Sequence, residues 1–231
     1  MTGCARGQSY PRWFLDPLSV GCNASAAGCV TPYFHQTASD SAAFFEACVN
    51  LARQHESRMS GGESYWETEA GVYWVEDSFS ESIDSTFLHG LQKTATKLDE
   101  FSSKDVDIVL ASAAGCSIDD SLKAVVGCPI NPPEWVESIP DGKGFIYALG
   151  VAPKFFYETS SWESAEKKAR FNLARSIRVS TNALQKVDQS SGQEMRSEVV
   201  SVVMSGFEVV HRWRDERQGL FYVLMRARSP N

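Results

Sequence analysis

Cysteines, histidines, clustered aromatics and an arginine set are the side chains of this 231-residue chain with the clearest capacity for chemistry. Cys22 and Cys29 flank the small-residue segment Asn-Ala-Ser-Ala-Ala-Gly, and Cys116 and Cys128 flank a second short stretch. Each pair is spaced to close a small ring, so disulfides among Cys22, Cys29, Cys116 and Cys128, and with them an oxidising compartment, are the expectation. Cys48 falls inside a predicted helix over 44–53 and reads as a buried thiol. No cysteine pair has the tight spacing of a zinc site, and none of His35, His55, His89 and His211 stands at a metal-ligating distance in sequence from another His or Cys. A metal is therefore not expected. Thr2-Gly3-Cys4 has the small-small-Cys form of a bacterial lipid-attachment site, which requires an apolar leader ahead of Cys4.

The motifs of common enzyme classes are missing from the sequence. Gly61-Gly62 lacks the Lys-Ser or Lys-Thr of a phosphate-binding loop, and there is no Gly-x-Ser-x-Gly elbow. The reading is a non-enzyme without a cofactor. Two surfaces remain. Tyr65, Trp66, Tyr73 and Trp74 stand among Glu63, Glu67, Glu69 and Glu76. Aromatics beside acids suit a glycan such as peptidoglycan or a partner protein, although strand propensity alone also accounts for them. Arg212, Arg214, Arg226 and Arg228 alternate along two neighbouring predicted strands. They are expected to share one face, either as an assembly surface or as a solvated sheet face.

A net charge of −7 argues against a general nucleic-acid partner. Residues 1–128 carry 8 basic and 17 acidic side chains, whereas 129–231 carry 14 and 12. An acidic first half and a slightly basic second half suit head-to-tail docking between copies of the chain.

The elements that must position these residues come in duplicate. At an offset of 122, Pro11-Arg12-Trp13 falls on Pro133-Glu134-Trp135, Gly28 on Gly150, Phe34 on Phe156, and Asn50-Leu51-Ala52-Arg53 on Asn172-Leu173-Ala174-Arg175. Ala43 and Ala47 fall on Ala165 and Ala169. Further on, Gly90 with Gly206 and Asp99-Glu100 with Asp215-Glu216 give an offset of 116. The expected organisation is an N-terminal attachment segment (1–10), a first repeat domain (11–112), a linker with a short helix (113–132) and a second repeat domain (133–231).

In the second copy, 145–151 reads as a strand, and Ser160 to Glu163 as a capping box opening a helix to about Arg175. A strand over 178–187, a helix over 194–205 stopped by Gly206, and two alternating strands from Phe207 to Ala227 complete it. The fold class is α+β: two similar domains, each a small antiparallel or mixed sheet with helices packed on one face.

The Pro-x-Trp lead-in at Pro133 to Trp135, the strand Tyr147-Ala148-Leu149-Gly150-Val151-Ala152, the alanine-spaced helix, the Gly206 step and the closing strand 220–227 together resemble the lipoprotein-20 family of bacterial envelopes. The first copy matches in its Trp lead-in, helix and glycine step, and departs at Thr31-Pro32-Tyr33. The resemblance implies export, a lipid on Cys4, anchorage in the outer membrane facing the periplasm or the cell surface, and homo-oligomeric rings or sheets. It also implies company with the flagellar motor or other envelope proteins, and it carries no catalytic residues.

Overall fold

The computed structural model describes residues 9–68, 71–142, 144–184 and 196–229. Its first half contains β1 (Ser9–Pro11), α1 (Arg12–Leu15), β2 (Ser25–Val30), α2 (Gln36–His55), β3 (Ser57–Thr68), β4 (Gly71–Ile83), α3 (Ser85–Thr94), β5 (Thr96–Ser102) and β6 (Asp107–Ser112). After β7 (Val125–Gly127), the second half contains α4 (Glu134–Glu137), β8 (Phe145–Pro153), α5 (Glu158–Leu184), β9 (Arg196–Met204), β10 (Glu208–Asp215) and β11 (Leu220–Arg228). The protein is α+β, with small antiparallel sheets and helices laid against them.

The two halves share one arrangement. Sheet β2-β6-β5 carries α2, and sheet β8-β11-β10 carries α5, with the same strand order and sense. The contact between helix and sheet is duplicated atom for atom. A Cβ on Gly28 would collide with the Ala43 carbonyl and the Ala47 amide; one on Gly150 would collide with the Ala165 carbonyl and the Ala169 amide. Only glycine in the strand and alanine in the helix let the two backbones approach this closely. Asn50 donates to the Ala27 carbonyl at 2.8 Å, and Asn172 to the Leu149 carbonyl at 2.8 Å, which ties each helix to its strand a second time.

Register corrects the expected offset of 116. Gly28 pairs with Val109 and Gly150 with Val223, so the last strands correspond at 114. Glu100 pairs with Val109 and Arg212 with Val223, so β5 and β10 correspond at 112. Both carry a β-bulge at the same place, Lys97/Asp99 and Val209/His211. The counterpart of Asp99 is thus His211, not Asp215. Tertiary contacts agree. The Trp13 indole donates to Asp99 at 2.7 Å, and Trp135 stacks on His211 at 5.8 Å between centroids.

Two elements differ from expectation. Within the strand expected over 178–187, the described residues up to Leu184 are instead the end of α5, and within the helix expected over 194–205, Arg196–Met204 is the strand β9. Apolar residues at 195, 199, 202 and 203 mimic a helical stripe, but the β-branched run Val199, Val200, Val202 and Val203 fits a pleated strand better. Gly206 has the expected positive φ of 64°, yet it closes a strand-to-strand turn and donates its N–H to Gln54 at 2.7 Å. Helix α5 also begins earlier than the expected capping box. Ser161, rather than Ser160, takes up a turn amide.

The halves interlock. β3 is the middle strand of a sheet ordered β4-β3-β9, so it pairs with its own half on one edge and the other half on the second. β1 pairs with β7 of the connecting segment. One continuous core joins Tyr10, Trp13, Phe14, Ile108 and Leu110 to Trp162, Leu173, Phe221 and Val223. Tyr10, Phe14 and Trp162 meet at ring-centroid distances of 5.3 to 5.6 Å, tilted or edge to face. A smaller core lies under α3, around Cys48, Leu51 and Leu91.

Candidate functional site

The sequence-predicted residues are not gathered into one place. Cys4 lies outside the described residues. Cys22 bonds to Cys116, with Cα atoms 6.1 Å apart, which corrects the expected pairing into small rings. Most of the segment between Cys22 and Cys29 is not a loop but strand, since β2 runs from Ser25 through Cys29. Five extended residues span roughly 15 Å, beyond the reach of a disulfide. Cys29, Cys48 and Cys128 are free. Burial pushes the thiols of Cys29 and Cys48 above their ordinary range and that of Cys128 up to about 11. All three are poor nucleophiles at neutral pH.

The backbone register sets Tyr65 across from Trp74 and Trp66 across from Tyr73, next to a bulge at Ser64/Tyr65. The four arginines do not share a face. Arg212 stands opposite Val223 and Arg214 opposite Phe221, on the side turned to α5, whereas Arg226 stands opposite Glu208 on the other side. The hairpin pairs even-numbered residues with even-numbered ones before the Val209/His211 bulge and with odd-numbered ones after it, so alternation in each strand alone could not reveal the split. Arg212 is buried. It donates to Glu166 at 2.8 and 3.0 Å and to the Phe14 carbonyl at 2.8 Å. Arg214 holds Glu158 at 2.6 Å, and Glu158 also accepts from Tyr10 at 2.6 Å. Burial, above all, raises the Glu158 carboxyl from its ordinary range.

Two features emerge that single-residue reasoning missed. The first is an aromatic pole. Phe34 and Phe156 are 97% and 92% exposed, at equivalent positions in the turns that lead into α2 and α5. Tyr33 and Phe155 beside them are also exposed. Each turn is pinned by a fully buried serine. The Tyr33 amide donates to Ser39 at 2.6 Å and the Phe155 amide to Ser161 at 2.8 Å. Phe34 lies edge-on to His35, and Phe156 edge-on to Tyr157, both at 4.9 Å. The Thr31 and Thr159 hydroxyls meet at 2.9 Å, which sets the two turns side by side. The offset of 122 had matched Phe34 to Phe156; its meaning required the exposure.

The second is the seam. Arg53 lies 3.3 Å from Glu81, Glu81 3.0 Å from Arg170, Arg170 3.9 Å from Glu166, and Glu166 2.8 Å from Arg212. This chain of charges links α2, β4, α5 and β10. Beside it is a cavity of about 770 Å³, walled by Trp13, Leu110, Phe207 and Met225 and by Arg53, Arg170, Arg212, Arg226 and Arg228. Burial draws Arg170 below its ordinary value, and Glu81 works against that shift. The cavity opens at the starts of β2 and β8, and the aromatic pole follows their ends, so the two lie at opposite ends of the same strands.

Among the described residues, no helix is long and apolar enough to cross a membrane, and no group of three or more His, Cys, Asp or Glu is placed to hold a metal ion. Comparison of the chain with family models, with curated proteins and with solved structures returned no match.

Proposed function

We propose that this chain is a non-catalytic envelope lipoprotein, anchored through Cys4, that assembles with copies of itself into a ring, sheet or filament at the cell surface or around a flagellar motor. The observation that supports this reading best is the aromatic pole. Two fully exposed phenylalanines on rigid, equivalent turns are costly for a monomer in water and suited to a contact between subunits. The internal charge chain and the shared core join the two halves of the subunit. With Arg212 and Arg214 turned inward, the contact is chiefly apolar rather than an arginine ladder.

Sedimentation velocity of the chain over a range of concentrations tests this. Assembly is expected in the wild type and is expected to be lost in F34S/F156S, with the circular dichroism of both unchanged. A wild type that stays monomeric at every concentration, or a variant that still assembles, refutes the reading.

A second reading, as a binding module for peptidoglycan, is favoured by the ladder register that sets Tyr65 beside Trp74 and Trp66 beside Tyr73. Retention on purified peptidoglycan that disappears in W66A/W74A supports it, and retention that survives the substitutions removes it.

A further inference from the structure

Sheet β4-β3-β9 has two outer edges, and they are not alike. β3 is paired on both sides, whereas β4 and β9 each have one strand partner among the described residues. An unpaired strand edge presents a row of N–H and C=O groups to any chain that can pair with it, and proteins guard such edges with charge. β4 is guarded, because Glu76, Asp77 and Glu81 lie along it. β9 is not. Its run Val199-Val200-Ser201-Val202-Val203 carries no charge and has the β-branched composition that favours pairing. One side of this strand is sealed: Met204 is buried, and Val202 stands opposite the buried Met59. The other side is open. Val203 is 58% exposed, and Ser201 forms an exposed rung with Ser60 and Ser80.

The sequence of β9 says what pairs with it. Outward from Ser201 it is nearly the same in both directions: Val200 and Val202, Val199 and Val203, then, past Glu198 and Met204, Ser197 and Ser205. A strand with that symmetry is complementary to itself in antiparallel register, which is the relation a two-fold axis imposes. With the axis at Ser201, Val203 falls opposite the partner's Val199 and Val200 opposite the partner's Val202. β-branched residues directly opposite one another stabilise a ladder, and like charges there destabilise it. In this register Glu198 meets Met204 and Arg196 meets Gly206, so no like charges face each other.

We propose that two copies of this chain pair antiparallel through the open edge of β9, about a two-fold axis at Ser201, and so join two three-stranded sheets into one of six strands. A contact of this kind is isologous and closes at two copies. It supplies a dimer and does not by itself build a ring, sheet or filament. The pairing rests on the reading of the chain as self-assembling, but it is separate from the aromatic pole. With the pole as the second contact, dimers extend into an array.

The test uses the whole chain carrying F34S/F156S, so that the pole contact is absent. Sedimentation velocity is expected to show this protein in monomer–dimer equilibrium. S201K and S201E set like charges face to face across the axis at an exposed position. Each is expected to weaken the dimer by about fivefold or more, and an equimolar mixture of the two is expected to recover it. S201C is expected to form a disulfide-linked dimer under mild oxidation, since directly opposite residues bring their Cβ atoms to about 5 Å. S80C, exposed on the same rung at the guarded edge, is expected to remain monomeric. Circular dichroism confirms the fold of each variant. A monomer at every concentration overturns the β9 pairing and leaves the pole contact standing. A mixture of S201K and S201E no more dimeric than either alone also overturns it, as does cross-linking through S80C as fast as through S201C.

Discussion

Helices α2 and α5 begin at equivalent residues, Gln36 and Glu158, and lie on their sheets through the same glycine and alanines. Their other faces have parted. On α2 the position after Ala47 is Cys48, buried in the small core under α3. On α5 the position after Ala169 is Arg170, equally buried but held in the chain of charges. α5 also runs on to Leu184, where the first copy turns at once into β3. The comparison teaches that a duplicated helix keeps what its own sheet demands and changes what its second neighbour demands. In the first copy that neighbour is a local helix. In the second it is the other half of the protein.

The shared face gives the largest expected effect. Gly28→Ala and Gly150→Ala each force a methyl into helix backbone, which cannot move aside as a side chain would. Each is expected to cost more than about 4 kcal/mol, enough to prevent recovery of folded protein. Soluble yield and near-ultraviolet circular dichroism report it. A variant that folds normally in one half only would break the equivalence of the two contacts.

That same constraint explains what could be read from the sequence. Where two backbones touch, the residue type is forced in both copies, so Gly28, Ala43, Ala47 and Asn50 stood out against their counterparts without any structure. Further along, constraint comes from pairing. Because the hairpin lengths differ between copies, a match on Asp-Glu pointed to 116 where the bulges require 112. β9 could not be recognised locally, because its partner β3 lies on the far side of the linker and supplies the hydrogen bonds that make a strand of it. The same distance hid the seam: Arg53, Glu81, Glu166, Arg170 and Arg212 are dispersed over most of the chain. The disulfide was hidden for a related reason, since β2 begins after Cys22 and carries Cys29 away from it, and Cys22 bonds to Cys116 across a separation of 94 residues instead.

The divergent faces give the next effect. Glu81→Gln leaves Arg53 and Arg170 without their shared carboxylate, and Ser57, which donates to Glu81 at 2.9 Å, keeps only an amide. Loss of one partner from a buried ion pair costs about 3–5 kcal/mol, and the urea midpoint should fall accordingly with its slope unchanged. E81Q/R170M should recover part of the loss, because the more deeply buried of the two stranded charges is then gone. A loss no larger in E81Q than at an exposed glutamate would mean that the seam does not join the halves energetically.

The smallest effect sharpens the comparison at one more pair. Glu46 on α2 is half-buried, whereas its counterpart on α5, Lys168, is exposed. Burial is the main cause of the raised Glu46 carboxyl, with Glu163 and Glu166 of α5 adding to it and Arg53 opposing it. A folded-state value above the unfolded one means that the folded protein holds this proton more tightly. The stability it contributes is complete below the ordinary glutamate range near about 4.3 and is lost as pH rises through the raised folded value. At neutral pH the ionised group therefore weighs against folding. Glu46→Gln removes that cost and is expected to stabilise the protein at pH 7 by a few tenths to about 1 kcal/mol, with the gain shrinking to nothing as the pH is lowered past the carboxylate range. Melting temperatures of both proteins across that range measure it. A gain that stays constant with pH would assign the effect to packing, and a loss at pH 7 would show that Arg53 depends on Glu46 as well as on Glu81.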